Sequence, residues 1–290
     1  MARALNYDSP NELRAYLEGH GLGMQKKFGQ NFLINPAVRR ELADALDIRA
    51  GDQVWEIGPG LGSMTFEFLS RGALVTAFEI DQGFVRALGE LFPENENLKI
   101  ISGDVRKTWP ARITRAPYLF GNLPYNVGSV ILGEMIETGC LFERMVVTVQ
   151  REVASRMSAR PGSKDYSSFS VLCSSVYRTE ALRVIGARSF YPAPHVDSQA
   201  VRLSRRTGQI QYPKLFTPLV RFLFASRRKT LRNSLTKFLS SRILDGGEMT
   251  ARQRGEELLS ASGVSGSERP ENLTVEEFAA LAALAGEAGT

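Results

Sequence analysis

The stretch Val54-Trp-Glu-Ile-Gly-Pro-Gly-Leu-Gly62 reads as a β-strand running into a glycine-rich turn, with helical spacing resuming at Ser63. Gly58, Gly60 and Gly62 follow a G-x-G-x-G spacing. Lacking side chains, they let the backbone approach a ligand closely, and the helix start beyond them presents free N–H groups. Tight strand-to-helix turns also use glycine for packing alone, so the motif takes its meaning from its neighbours. The nicotinamide fingerprint G-x-G-x-x-G would need a glycine at Ser63 or Thr65, and neither fits.

Outward from this turn, short β-rich runs alternate with helical patterns. Strands are predicted at Gln53–Ile57, Leu74–Glu79, Leu98–Ser102, Tyr118–Gly121 and Met145–Gln150, with helices at Ser63–Ser70, Asp81–Leu91 and Ser129–Thr138. Such alternation implies a parallel sheet covered on both faces. Ahead of it, Asn35 can cap a helix with Pro36 in its first position. Helices near Arg151–Ser158 and Ser167–Tyr177 follow, then strands near Ala181–Ile185 and Gln199–Leu203 that could form an antiparallel edge. Beyond about Thr207 only helices are predicted: Pro213–Ala225, Arg228–Leu239, Ala251–Ser260 and Thr274–Leu284, the last with a Thr274/Glu277 capping box, and loops at Gly246–Gly247 and Ser262–Arg269. The fold class is therefore α/β, a Rossmann-like domain over residues 1–208 with a small all-α domain over 209–290.

An open α/β sheet binds its ligand at the carboxyl ends of its strands. Gly58, Glu79 and Asp104 end three successive strands, with Glu79 lying 21 residues beyond Gly58. Each acid alone is more often a helix cap, but together they line one crevice. Glycine beside a methionine moiety, Glu79 on both ribose hydroxyls and Asp104 on an adenine amine describe S-adenosylmethionine rather than a dinucleotide. His20 and His195, the only histidines, are too few and too far apart in sequence to suggest a metal site.

Asn122-Leu-Pro-Tyr-Asn126 follows the fourth strand. Asn-x-Pro is a common turn, but here it stands where the donor methyl would face. An exocyclic adenine amine is a poor nucleophile because its lone pair is delocalised into the ring. Two acceptors off the base plane would hold both N–H groups as the nitrogen turns tetrahedral, which stabilises the transition state. Asn122 offers a side-chain oxygen, and Pro124 keeps the chain extended and leaves the Leu123 or Pro124 carbonyl as second acceptor. Tyr125 supplies a flat face for an extruded base. Positioning in line with the sulfonium carbon then suffices, without metal or covalent nucleophile.

The charge of +5 is unevenly placed. Ser198–Leu244 carries eleven Lys or Arg and no Asp or Glu, whereas the rest of the chain has 25 basic and 31 acidic residues. A solvated basic face is the plainer reading, but eleven cations without one intervening acid favour a polyanion-binding surface. Within it Arg227, Arg228, Lys229 and Arg232 are expected within about one helical turn, anchored by Phe222 and Phe224. The two cysteines, Cys140 and Cys173, lie in apolar surroundings and read as buried thiols of a reducing compartment. With no secretory signal at the N-terminus and no run of ~18 apolar residues, a cytoplasmic, membrane-free monomer is expected.

The chain resembles the ribosomal RNA adenine dimethyltransferase family over nearly its whole length. The matching segments are Gln25-Lys-Lys-Phe-Gly-Gln-Asn-Phe-Leu33, Glu56–Gly62, Asn122–Asn126, Phe190-Tyr-Pro-Ala-Pro-His-Val-Asp-Ser198 and Phe224-Ala-Ser-Arg-Arg-Lys-Thr-Leu-Arg-Asn233. The resemblance implies that Asn31 and Leu33 contact the cofactor, that Asn122 touches it as well, and that Phe190 flanks the target base opposite Tyr125. It also implies that the helical domain grips ribosomal RNA, and that two methyls go onto each of two adjacent adenines near the 3′ end of small-subunit (16S) RNA, late in subunit assembly.

Three other readings compete. The related large-subunit enzymes of macrolide resistance tend to carry Ile at the position of Leu123, and they lack the long Phe190–Ser198 match. A non-catalytic assembly factor would need neither Asn122-x-Pro-Tyr nor the acidic set, although a checkpoint role beside methylation stays open. A DNA amine methyltransferase would share Asn122-x-Pro-Tyr but not the other segments.

Overall fold

A computed structural model describes residues 5–23, 30–109, 116–124, 127–207, 212–241 and 249–287. The chain divides into two compact units, Met1–Ala154 with Arg178–Arg205, and Ser155–Tyr177 with Arg206–Thr290.

The first unit opens with α1 (Pro10–Gly19), the short strand β1 (Phe32–Leu33) and α2 (Pro36–Leu46). Alternation then runs through β2 (Gln53–Ile57), α3 (Ser63–Ser70), β3 (Leu74–Glu79), α4 (Gln82–Leu91), β4 (Leu98–Ser102), α5 (Val105–Thr108), β5 (Tyr118–Asn122), α6 (Gly128–Glu137) and β6 (Arg144–Gln150). The unit boundary falls within α7 (Arg151–Ser158). After α8 (Ser168–Val176) come β7 (Tyr177–Ile185), β8 (Phe190–Tyr191) and β9 (Ser198–Arg205).

Seven strands form one sheet in the order β4-β3-β2-β5-β6-β9-β7. The first five pair in parallel, and β9 lies antiparallel on β6 with Gln150 opposite Ser198. The expected antiparallel edge is therefore present. Strand order reverses about β2, and β2 and β5 leave a crevice at their carboxyl ends. Local chemistry sets the element ends: Asn35 Oδ1 accepts from the N–H groups of Ala37 and Val38 at 3.0 and 3.2 Å, with Pro36 starting α2. Leu42, Val54, Phe68, Val75 and Phe120 fill the main core beneath the sheet. A second cluster, with Leu13, Leu17, Phe32, Leu61 and Phe84, fastens α1 beside the glycine turn. Tyr7 completes the attachment by donating its hydroxyl to the Leu61 carbonyl at 2.8 Å.

The second unit is helical, with α9 (Phe216–Ala225), α10 (Leu231–Ser240), α11 (Ala251–Ser262) and α12 (Val275–Glu287). A single boundary at 208 is too simple, because α8 packs against α9 and α12. Tyr166 holds that stretch in place by donating its hydroxyl to the Leu273 carbonyl at 2.8 Å and meeting the Phe224 ring edge-on. The Thr274 box closes as expected: Glu277 N–H donates to the Thr274 hydroxyl oxygen at 3.2 Å, and the Glu277 carboxylate accepts from Thr274 N–H at 2.7 Å. Cys140 and Cys173 are both buried. The loop expected at Gly246–Gly247 lies outside the described residues. Among the described residues no helix is long and apolar enough to cross a membrane.

Candidate active site

The turn after β2 needs its glycines for a physical reason. Gly60 has φ +58°, and a Cβ built there would meet Phe32 Cε1 at 2.5 Å, so strand β1 can close on the turn only over a bare backbone. At Gly58, φ is +69° and a Cβ would meet nothing within 4 Å, which leaves the backbone facing open space. Two cavities adjoin this turn. One, of about 70 Å³, is lined by Asn31, Leu33, Gly60, Glu56 and Asn122 among others. The other, of about 240 Å³, is lined by Asp104, Val105, Arg106, Val127 and Ile131 among others. Gly58, Glu79, Ile80 and Pro124 line both, so the two form one crevice.

Glu79 stands at its centre, only 4% exposed. Its carboxylate accepts from Gly60 N–H at 3.1 Å and Asp81 N–H at 2.9 Å, one bond on each oxygen. Burial raises its pKa, and these two backbone donors work in the other direction. A carboxylate has about four lone-pair sites, so each oxygen keeps capacity for a further donor. Asp81, rather than Glu79, caps α4, accepting from Gly83 N–H at 2.8 Å.

Asp104 has two tasks that sequence reading did not join. It caps α5 by accepting from Arg106 N–H at 3.0 Å, and the Arg106 guanidinium reaches both its oxygens, Nη2 donating to Oδ2 at 2.7 Å and Nε to Oδ1 at 3.2 Å. That guanidinium holds the Asp104 carboxyl below the ordinary range, as an acceptor only. An incoming amine would therefore share this carboxylate with Arg106.

Sequence reading assigned no role to Glu56. It lies in the buried stretch of central strand β2, 2% exposed, lines the smaller cavity and accepts the Thr65 hydroxyl at 2.6 Å. Burial pushes its carboxyl up to about 8, against the opposing bond from Thr65. An acidic residue in the otherwise apolar run 54–57 of a central strand is itself a signal that could have found it.

At the end of β5, Asn122 is clamped. Its Nδ2 donates to the Asn31 carbonyl at 2.7 Å, and its Oδ1 accepts the Thr148 hydroxyl. The next two residues divide the backbone roles. The Pro124 carbonyl accepts from Val127 and Gly128 N–H at the start of α6, at 3.2 and 2.9 Å. The Leu123 carbonyl has no partner among the described residues, so of the two candidates it is the free acceptor. Leu123 itself is 2% exposed, and a Cβ at Gly121 would meet its Cδ2 at 2.6 Å, so its side chain is packing.

Two expected base-flanking residues fare differently. Tyr125 lies outside the described residues. Phe190 does not present its ring to the crevice: it is 3% exposed, belongs to the main core and lines neither cavity. The reason is the pairing of β8 with β1, where Phe190 stands opposite Leu33 and turns into the core.

The four basic residues also differ from expectation. Arg227, Arg228 and Lys229 occupy the turn between α9 and α10, and only Arg232 is on the helix. Phe222 and Phe224 anchor α9, against Phe238 on one side and Tyr166 and Phe278 on the other. Arg227 pairs with Glu271 and donates to the Lys164 carbonyl at 3.0 Å, and Arg232 pairs with Glu256 at 2.5 Å. Among the described residues Arg228 and Lys229 have no carboxylate partner, and both are exposed. Nearby Lys237 lowers the Lys229 pKa, as a second cation does. Among the described residues no group of three or more His, Cys, Asp or Glu is placed to hold a metal ion.

The ribosomal RNA adenine dimethylase profile matches residues 21–259. Ribosomal RNA small subunit methyltransferase A of Treponema denticola is 42% identical over 297 residues, covering 97% of this chain and 96% of its own. Among solved structures, a dimethyladenosine transferase from Plasmodium falciparum aligns with a TM-score of 0.72 at 24% identity, over 85% of this chain and 94% of its own. The 23S rRNA methyltransferase ErmE aligns with a TM-score of 0.61 at 24% identity, over 87% of this chain and 98% of its own. These structural likenesses speak to the fold. With a family profile spanning most of the sequence and a relative of this identity along nearly all of it, the chain belongs to the ribosomal RNA adenine dimethylase family.

Proposed function

We propose that this chain transfers methyl groups from S-adenosylmethionine to the N6 amines of two adjacent adenosines near the 3′ end of small-subunit (16S) ribosomal RNA. The product is N6,N6-dimethyladenosine, formed in the cytoplasm by a monomer during late small-subunit assembly. One observation carries the reading: the crevice holding Glu79 and Gly58 opens directly onto Asn122 and Pro124 at the end of β5. Donor and acceptor groups for amine methylation therefore share one wall.

The residues suit the donor, which supplies an electrophilic methyl on a sulfonium. Glu79 has an acceptor oxygen to spare for each ribose hydroxyl, Asp104 faces the adenine end, and Gly58 and Gly60 leave room for the methionine end. Asn31 and Leu33 close the cavity from the β1 side. Asn122 Oδ1 and the Leu123 carbonyl hold the two amine hydrogens, and Tyr125 stacks on the extruded base. Phe190 supports this wall from behind Leu33 rather than touching the base. After incubation with donor and unmodified small subunits, digestion of the RNA is expected to yield N6,N6-dimethyladenosine. Monomethyladenosine as the sole end product would contradict the reading.

Glu56 makes donor binding pH-dependent. With its carboxyl pushed up to about 8, it is protonated in the free protein at neutral pH. A cationic donor favours the ionised form, so binding expels a proton below pH 8 and affinity rises toward that value, by up to about tenfold per pH unit. The sign for stability is opposite. A raised carboxyl contributes stability below its unfolded pKa and loses it as pH rises from about 4.5 through 8. Calorimetry in buffers of different ionisation enthalpy checks the expelled proton. Equal affinity at pH 6 and pH 8 would separate Glu56 from the donor.

The α9–α10 turn is proposed to dock ribosomal RNA, chiefly through Arg228 and Lys229, with Arg227 and Arg232 pre-set by their acidic partners. Replacing Arg228 and Lys229 by Ala is expected to weaken small-subunit binding and flatten its salt dependence by about one to two log units per log unit of salt, at about 0.7–0.9 per phosphate contact. Donor affinity measured alongside stays level. An unchanged salt slope would make these two residues plain solvated surface.

A further inference from the structure

Thr148 stands on β6 directly opposite Asn122 in the parallel register of β5 and β6. Cross-strand partners leave a sheet on the same face, so the two side chains meet. Thr148 is 1% exposed and is the one polar residue between Met145 and Val149. A buried hydroxyl in such a strand is costly unless paired, and this one donates to Asn122 Oδ1. The other end of the amide is equally constrained. A carbonyl oxygen cannot donate, so the Asn122 atom 2.7 Å from the Asn31 carbonyl must be Nδ2. This fixes which way round the amide lies and turns Oδ1 toward Thr148. Thr148 lines neither cavity, so among the described residues it reaches the site through Asn122.

We propose that Thr148 is a positioning residue for methyl transfer: its hydroxyl holds the Asn122 amide so that the remaining Oδ1 lone pair faces the reacting amine. The inference rests on the reading of Asn122 given above. A hydroxyl on Oδ1 slightly weakens that oxygen toward a second donor, since two donors share one acceptor. Orientation outweighs this, because an amide free to turn presents its NH₂ group to the amine as readily as its oxygen. The backbone link is separate. Leu123 N–H donates to the Thr148 carbonyl at 3.1 Å, and a side-chain substitution leaves that bond in place.

Thr148→Val keeps the β-branched shape and removes only the hydroxyl, while Thr148→Ser keeps the hydroxyl and removes the methyl. In single turnovers at saturating donor and RNA, Thr148→Val is expected to be about tenfold slower, the scale of one net hydrogen bond. Thr148→Ser should stay within about threefold of the parent, and donor Kd within about twofold in both. Combined with Asn122→Ala, Thr148→Val should add less than about twofold, because its effect runs through the missing amide. Parent-like turnover of Thr148→Val beside an impaired Asn122→Ala would overturn this inference and leave the Asn122 reading standing. Equal losses in Val and Ser variants, or a full loss on top of Asn122→Ala, would also overturn it, since Thr148 would then act by packing. Normal turnover of Asn122→Ala itself would instead defeat the reading beneath it.

Discussion

Replacing Asn122 by Ala is expected to slow single-turnover methylation by about a hundredfold or more, the loss that follows removal of one preorganised acceptor. The structure gives the reason for so large an effect. Asn122 is held from both ends, by Asn31 and Thr148, so its oxygen is already oriented before the base arrives. Solvent filling the gap would have to be ordered during the reaction itself. Affinity for RNA should barely change, because one base-directed side chain contributes little beside backbone contacts. Some loss of donor affinity is expected, since Asn122 lines the cavity with Glu79. Rapid-quench measurement at saturating donor and RNA decides the matter. Near-parent turnover there would remove Asn122 from the chemistry.

Glu79→Ala is expected to weaken S-adenosylmethionine binding by roughly 1–3 kcal/mol, the scale of hydrogen bonds to a charged group. Glutamine should be little better. Gly60 and Asp81 present N–H donors to the two carboxylate oxygens, so an amide must set its own NH₂ against one of them. Two ribose hydroxyls would then face one acceptor where two stood. Titration calorimetry on folded variants checks both substitutions. Unchanged affinity in Glu79→Ala would take Glu79 out of the site, and parent affinity in Glu79→Gln would reject the two-acceptor argument.

Periodicity carried most of the fold. Ser63–Ser70, Gln53–Ile57 and Arg151–Ser158 are where apolar spacing puts them, and Asn35 and Thr274 cap their helices through local bonds that a few adjacent residues decide. What sequence hid depends on partners far along the chain. Thr148 reads as an ordinary strand residue until β5–β6 register sets it beside Asn122. Phe190 reads as an aromatic beside the site until its pairing with Leu33 turns it inward. Arg227 to Lys229 follow an apolar helical run, yet α10 begins only after Thr230, whose extended backbone is that of an N-cap. Residues 155–177 join the C-terminal helices through side-chain packing that no local pattern announces. Of the site, the strand-end acids and glycines were legible because topology alone brings strand ends together. The Arg106 fork on Asp104 and the buried acid Glu56 were not read in that way.

The central claim is amine methylation of adenines in small-subunit RNA, and substrate choice tests it most directly. Labelled S-adenosylmethionine is supplied with the full chain and, in parallel, small subunits lacking the modification, large-subunit RNA and DNA. Each nucleic acid is then digested and the labelled nucleoside identified. Label in N6,N6-dimethyladenosine from the small subunit, with the other two substrates at background, is the expected result. Label entering large-subunit RNA or DNA in preference, or no transfer to any of the three, would contradict the account.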